Sequence, residues 1–145
     1  MKYVILFFFI VSCSAQKSTK TAMEHQKGLE LLLSDFHSNV TTPQILIIEE
    51  VASLRAFFAT VNKTRKPGLA FPSVDFSKER ILIYACGEQY GTALPQLTVL
   101  KEDHQELVIN CSFKEQLTTT EAIASPFAMY KIKKSPENIR FTSTE

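Results

Sequence analysis

The stretch Val74–Ala93, VDFSKERILIYACGEQYGTA, decides how the rest of the chain is read. An Asp-Phe entry passes through a charged turn into the apolar run Ile81 to Cys86, and a loop opens at Gly87. A short, unbroken apolar run of this kind fits a strand in the interior of a sheet, with Arg80 to Cys86 as its span. Two of the chain's four glycines, Gly87 and Gly91, fall in the loop that follows, which asks for backbone freedom there. Asp75 is suited to accept N–H bonds across the Phe76-Ser77-Lys78 turn and so to hold the strand's entry.

Working outward toward the C-terminus, Leu97 and Val99 alternate with Gln96 and Thr98, and Lys101 to Gln105 is a polar turn. Leu107, Ile109, Cys111 and Phe113 then alternate with Val108, Asn110 and Ser112, so the two segments predict a hairpin. Glu115 to Ala124 is Thr-rich without a period and is read as a loop. Pro126 opens the strand FAMYKI, with Phe127 and Met129 on one side and Ala128, Tyr130 and Ile132 on the other. A last strand, Ile139 to Phe141, follows the Ser135-Pro136 turn.

Toward the N-terminus, Lys66 to Ser73 is an irregular connection with two prolines and a glycine. Before it, Val51, Leu54, Phe57, Phe58 and Val61 share one face at helical spacing, with Glu49 and Glu50 at the start and Lys63, Arg65 and Lys66 at the end. Gln44 to Ile48, QILII, reads as a central strand covered on both faces. Ala22, Leu29, Leu32, Leu33 and Phe36 form a helical stripe interrupted by Gly28, which predicts a second helix over 22–36. The order helix, strand, helix and then strands joined by short turns predicts an α+β fold, a mostly antiparallel sheet of about five to six strands with two helices packed on it.

The first twelve residues read as an export signal: Lys2, then the apolar run Tyr3 to Val11, too short for a permanent span. Ile10-Val11-Ser12-Cys13 fits a bacterial lipobox, which makes Cys13 the lipidated mature N-terminus and puts the protein in the bacterial cell envelope, on the periplasmic or surface side of a membrane. The other reading is an ordinary signal cut after Ala15. Residues 13–21 are small and polar, a tether, and 22–145 remain as one domain. The 145 residues, 45% hydrophobic, suffice for one core. Loss of Lys2 brings the 16 basic side chains level with the 15 acidic ones. A neutral chain whose basic groups, Lys63/Arg65/Lys66 and Lys131/Lys133/Lys134, are short and separated lacks the stripe that nucleic acid requires.

Catalytic and metal chemistry finds little to stand on. Cys86 and Cys111 occupy apolar strand positions, where a thiol is a small hydrophobe or half of a disulfide, and a Cys86–Cys111 bridge is one of the two readings. His25, His37 and His104 have no partners at zinc-ligand spacing. Glu102, Asp103, His104 and Glu106 cluster in a turn without the periodicity of a calcium loop. No G-x-S-x-G elbow or phosphate-cradling glycine pattern is present in the sequence. The sequons at Asn39, Asn62 and Asn110 carry no meaning in a bacterial lipoprotein.

The run PSVDFSKERILIYACG, its hairpin sequel and the later SPFAMYKIKK resemble the C-terminal domain of the PrcB family of exported protease-complex subunits, over roughly 51–141. The motifs are Val74-Asp75-Phe76, the strand ending at Gly87, and Ser125-Pro126-Phe127. Where the family often has a Thr-Gly-Gly-Tyr-like turn, this chain has Gly-Glu-Gln-Tyr-Gly-Thr-Ala. The resemblance implies a non-enzymatic accessory protein without catalytic residues or cofactor, whose partner is an envelope protein such as a secreted protease. The expected partner-binding loop is Gly87, Glu88, Gln89, Tyr90, Gly91, Thr92 and Ala93, continuing to Leu94, with the Lys101–Gln105 turn beside it. A loop-mediated protease inhibitor is the alternative, and a cysteine enzyme is the third.

Overall fold

The computed structural model describes residues 25–26, 28–91, 93–114, 122–135 and 137–143. The stretches read as signal and tether, with Cys13, lie outside them. Among the described residues there are ten strands and one α-helix: β1 (His25–Gln26), β2 (Leu29–Asp35), β3 (Gln44–Ile48), α1 (Val51–Val61), β4 (Glu79–Ala85), β5 (Gln89–Tyr90), β6 (Leu94–Glu102), β7 (Glu106–Lys114), β8 (Ile123–Ala124), β9 (Phe127–Lys133) and β10 (Asn138–Ser143). A five-stranded antiparallel sheet runs in the order β1-β2-β9-β4-β3, a three-stranded sheet in the order β10-β7-β6, and β5 pairs with β8 as a short ribbon. Pairing is antiparallel throughout, except that β10 runs parallel to β7. The fold is thus α+β and mostly antiparallel, with strands divided among three sheets and a single helix among the described residues.

Three layers result. Alternation along β9 separates two cores, as its sequence predicts. Phe127 and Met129 point to the helix side, where they meet Leu54, Phe57, Phe58, Val61, Ile81 and Ile83. Ala128, Tyr130 and Ile132 point the other way, against Leu82, Leu97, Leu107 and Ile109 between the two larger sheets. Fully burying each such large aliphatic or aromatic side chain is worth about 1.5–3 kcal/mol. The Phe57 and Phe127 rings meet edge to face with centroids 5.4 Å apart, anchoring α1 on β9. In the second core the Leu97 N–H donates to Tyr130 Oη at 3.2 Å, so the phenol is buried with its oxygen engaged.

Within the helix predicted over 22–36, the described residues form two strands instead, at 25–26 and 29–35. Gly28 turns between β1 and β2, and β2 carries a bulge between Leu31 and Leu33. The bulge breaks the two-residue alternation, so Leu29 and Leu31 face the inter-sheet core while Leu32 and Leu33 both face the helix-side core. That spacing of 29, 32 and 33 imitates a helical stripe. QILII also differs from expectation: among the described residues β3 is an edge strand, paired only with β4, and Ile45 and Ile47 are exposed. On α1 the buried face is Leu54, Phe57, Phe58 and Val61, with Val51 outside it. Of the loop expected over Glu115 to Ala124, residues 115–121 lie outside the described residues and Ile123–Ala124 form β8.

Two polar devices hold the loops that frame the layers. Asn39, at φ +58°, donates its amide N–H groups to the carbonyls of Thr60 (3.0 Å) and Val61 (3.1 Å), closing the end of α1. Asp75 holds the entry to β4: its carboxylate accepts from Ser77 N–H (3.1 Å) and Ser77 Oγ–H (2.6 Å), and its carbonyl accepts from the N–H groups of Lys78 and Glu79, both at 2.9 Å. This is the turn-holding role read from the sequence.

Candidate functional site

The loop after β4 is built on backbone bonds to two neighbouring segments. The Cys86 N–H donates to Pro126 O (2.9 Å), the Glu88 N–H to Thr41 O (3.1 Å) and the Gly91 N–H to Ala122 O (3.2 Å). Between them Gln89 pairs with Ala124 and Tyr90 with Ile123. Gly87 has φ +73°, and a Cβ there would lie 2.8 Å from the backbone N of Pro43 and C of Thr42. Only glycine permits that approach. At Gly91, with φ +97°, an added Cβ would meet nothing within 4 Å.

The ribbon's other half is tied down through Ser125, a residue singled out in the sequence only as a motif position. It is buried, and its Oγ accepts from the N–H groups of Ser38 (3.0 Å) and Asn39 (3.2 Å). Its own N–H donates to Phe36 O (2.9 Å), and its carbonyl accepts from Ser38 N–H (2.8 Å). Ser38, wholly buried, turns its Oγ to the Val40 N–H at 3.2 Å. Next to this knot Arg65 grips Asp35, with one nitrogen 3.1 Å from Oδ2 and another on Oδ1, and also donates to His37 O at 2.7 Å. Burial pushes the Asp35 carboxyl up, but bonds from Arg65 and from the His37 N–H outweigh it and leave the group below its usual range.

What this frame presents is apolar. Tyr90 is 77% exposed and its cross-strand partner Ile123 is 59% exposed. A tyrosine and an isoleucine side by side, displayed rather than buried, make a small contact surface on a rigid support. The loop expected at Gly87–Ala93 therefore has a second half, Ile123, that the sequence concealed in an unpatterned Thr-rich segment. Thr92 lies outside the described residues, and Ala93 leads into β6.

The Lys101–Gln105 turn is not beside this loop. It closes the far end of β6, eight residues beyond Leu94, roughly 26 Å along a strand. There the Asp103 carboxylate accepts from the N–H groups of Gln105 (2.9 Å) and Glu106 (2.8 Å) and pairs with Lys101 (2.7 Å). The Lys101 ammonium and these two N–H groups hold the Asp103 carboxyl far below its usual range. These are the bonds of a turn, not of an open site.

The far end also holds a depression of about 690 Å³, bordered by Arg80, His104, Gln105, Lys134 and Glu137. Its cations are already engaged. Arg80 donates to the carbonyls of Lys134 and Glu137 and its Nε lies 3.0 Å from Glu49 Oε1, as an ion pair without hydrogen-bond alignment. Lys134 donates to Phe76 O at 3.2 Å. The volume is a gap between loops that these bonds stitch.

Cys86 and Cys111 are buried free thiols, so the bridge read as one alternative is not formed in the structure. Burial, then the neighbouring Cys111, pushes the Cys86 thiol up to about 12, and burial raises Cys111 as well. Thiols held neutral in this way are poor nucleophiles. Among the described residues no three of His, Cys, Asp and Glu gather as a metal-binding group, and no helix is long and apolar enough to cross a membrane. The chain matches no family model, no curated protein and no solved structure.

Proposed function

We propose that the domain is the binding end of a lipid-anchored envelope protein, a non-enzymatic accessory subunit that docks on a partner through Tyr90 and Ile123 and stabilises it. The observation that carries this reading is the exposed Tyr90–Ile123 pair on a ribbon fixed from both sides by backbone bonds. A fixed apolar pair loses little conformational entropy on docking, which is what a contact point needs. The lipobox supports an anchor at Cys13, and the polar tether over 13–21 gives the domain reach toward a neighbour. The resemblance to PrcB-like subunits supports a cell-surface protease as the partner. The raised thiols favour a structural role for Cys86 and Cys111 over a catalytic one.

The same displayed tyrosine suits the alternative, a loop that enters a protease cleft as an inhibitor. One experiment separates the two. The intact chain is added to the protease that co-purifies with it from detergent-solubilised envelopes, and both peptide hydrolysis and the protease's half-life are followed. An accessory subunit lengthens the half-life and leaves hydrolysis intact, whereas an inhibitor suppresses hydrolysis in proportion to its occupancy. A protease unchanged in both respects ends both readings.

A further inference from the structure

We propose that β3 is a self-association edge, at which two copies of this chain pair antiparallel about a two-fold axis through Leu46. A free sheet edge invites pairing, and folds normally blunt it with brevity, charge, proline or a bulge. The other edges here are blunted. Among the described residues β1 has two positions, the part of β2 beyond it carries a bulge between Leu31 and Leu33 and ends in Asp35, β10 carries Asn138, Arg140 and Thr142, and β6 carries Pro95, Lys101 and a bulge between Val99 and Lys101. β3 has none of these: QILII is uncharged, and its register with β4 is unbroken. Among the described residues, the backbone bonds outside the ladders include none from residues 44–48.

The side chains on this edge are also left uncovered. Ile45 lies opposite Tyr84 and Ile47 opposite Leu82, which puts both on the face that the three-stranded sheet covers elsewhere. Leu82 is fully buried there, yet Ile45 is 37% and Ile47 44% exposed, so the cover stops one strand short. The Tyr84 ring in turn meets Phe113, itself exposed, at 6.0 Å between centroids. The uncovered apolar strip therefore continues from β3 onto β7.

A second copy fits this strip better than a foreign strand because β3 complements itself. Two-fold pairing at Leu46 sets Ile45 of each copy against Ile47 of the other, joining four exposed isoleucines on one face. It also sends Glu49 and Glu50, which follow the strand, to opposite ends of the shared ladder, against Pro43 and Thr42. Parallel pairing would set those carboxylates side by side. An isologous contact of this kind closes on itself and leaves no further free β3 edge.

The test uses the full chain in detergent, by sedimentation equilibrium over a wide concentration range. A dimer is expected, and Ile47→Lys should convert it to monomer with an unchanged far-ultraviolet circular dichroism spectrum. Register is read separately by mixing Ile45→Cys and Ile47→Cys chains under mild oxidation. Directly opposed positions lie about 5.5 Å apart or less between Cα atoms, within disulfide reach, while the diagonal pairs, about 7–8 Å apart, are not. The mixture should give a crosslinked dimer that neither variant alone nor the parent chain gives. A chain monomeric at every concentration, a dimer indifferent to Ile47→Lys, equal crosslinking in the single variants, or a monomer whose β3 edge instead takes up an extended apolar peptide would each overturn the proposal.

Discussion

Tyr90 and Ile123 face each other across the β5–β8 ribbon, both largely exposed, although 33 positions of sequence separate them. Neither supports a core, so removing both side chains should leave stability within about 0.5 kcal/mol of the parent. If they form the centre of a docking surface, the same change costs about 2 kcal/mol or more of binding, roughly thirtyfold or greater in affinity. Urea melts of Tyr90→Ala/Ile123→Ala, set beside its affinity for the co-purifying partner, separate the two effects.

Ser125 should behave in the opposite way. Its Oγ accepts two N–H groups, one from the wholly buried Ser38, and Ser125→Ala leaves them without that acceptor. The Ser38 N–H keeps the Ser125 carbonyl at 2.8 Å, so the expected loss is that of ordinary hydrogen bonds, about 0.5–1.5 kcal/mol of folding stability, measured by urea denaturation. A variant as stable as the parent would mean that the knot at 36–40 does not depend on the hydroxyl.

The two loop glycines should differ. Both have positive φ, so alanine at either is strained by roughly 1–2 kcal/mol. At Gly91 the added methyl meets nothing, and the cost should stop there. At Gly87 it meets the Thr42–Pro43 backbone at 2.8 Å, so Gly87→Ala should cost clearly more and shift the ribbon. Thermal or urea melts of the two variants side by side check the order.

Stability should fall at both ends of the pH scale for identifiable reasons. Asp35 has a folded pKa below its unfolded value, so its contribution is present above the unfolded value of 3.8 and is lost as pH falls through the folded value. Asp35→Asn should remove that part of the acid limb. Cys86 is the reverse case: its folded pKa of about 12 stands above the usual 9.0, so the unfolded thiol ionises first and stability falls as pH rises from 9 toward 12. Cys86→Ala should flatten this alkaline loss. For the same reason, native reduced protein should react with iodoacetamide at Cys86 and Cys111 only on unfolding; rapid native labelling would revive a nucleophilic role.

The parts of the fold that the sequence made legible are those where local period and burial agree. β9 is the clearest, since Phe127 and Met129 against Ala128, Tyr130 and Ile132 divide as alternation requires. The β6–β7 hairpin and α1 were legible for the same reason. Residues 22–36 misled because a bulge shifts the side-chain alternation within β2, turning Leu29, Leu32 and Leu33 into a false helical stripe. QILII misled because apolar composition cannot distinguish a strand covered on both faces from an exposed edge strand. At the site, the glycines marked the loop correctly, but Ile123 is brought to Tyr90 only by long-range pairing, and Ser125 matters through bonds to residues more than 80 positions away. Local patterns cannot carry such information.

The most direct test of the account is recovery of a partner from detergent-solubilised envelopes with the intact chain and with Tyr90→Ala/Ile123→Ala, compared at equal loading. The intact chain should bring down one stoichiometric envelope protein, and the double variant, equally folded, should lose it. Recovery of the chain alone, or of the same partner in the same amount by the double variant, would contradict the claim that this ribbon is the binding surface.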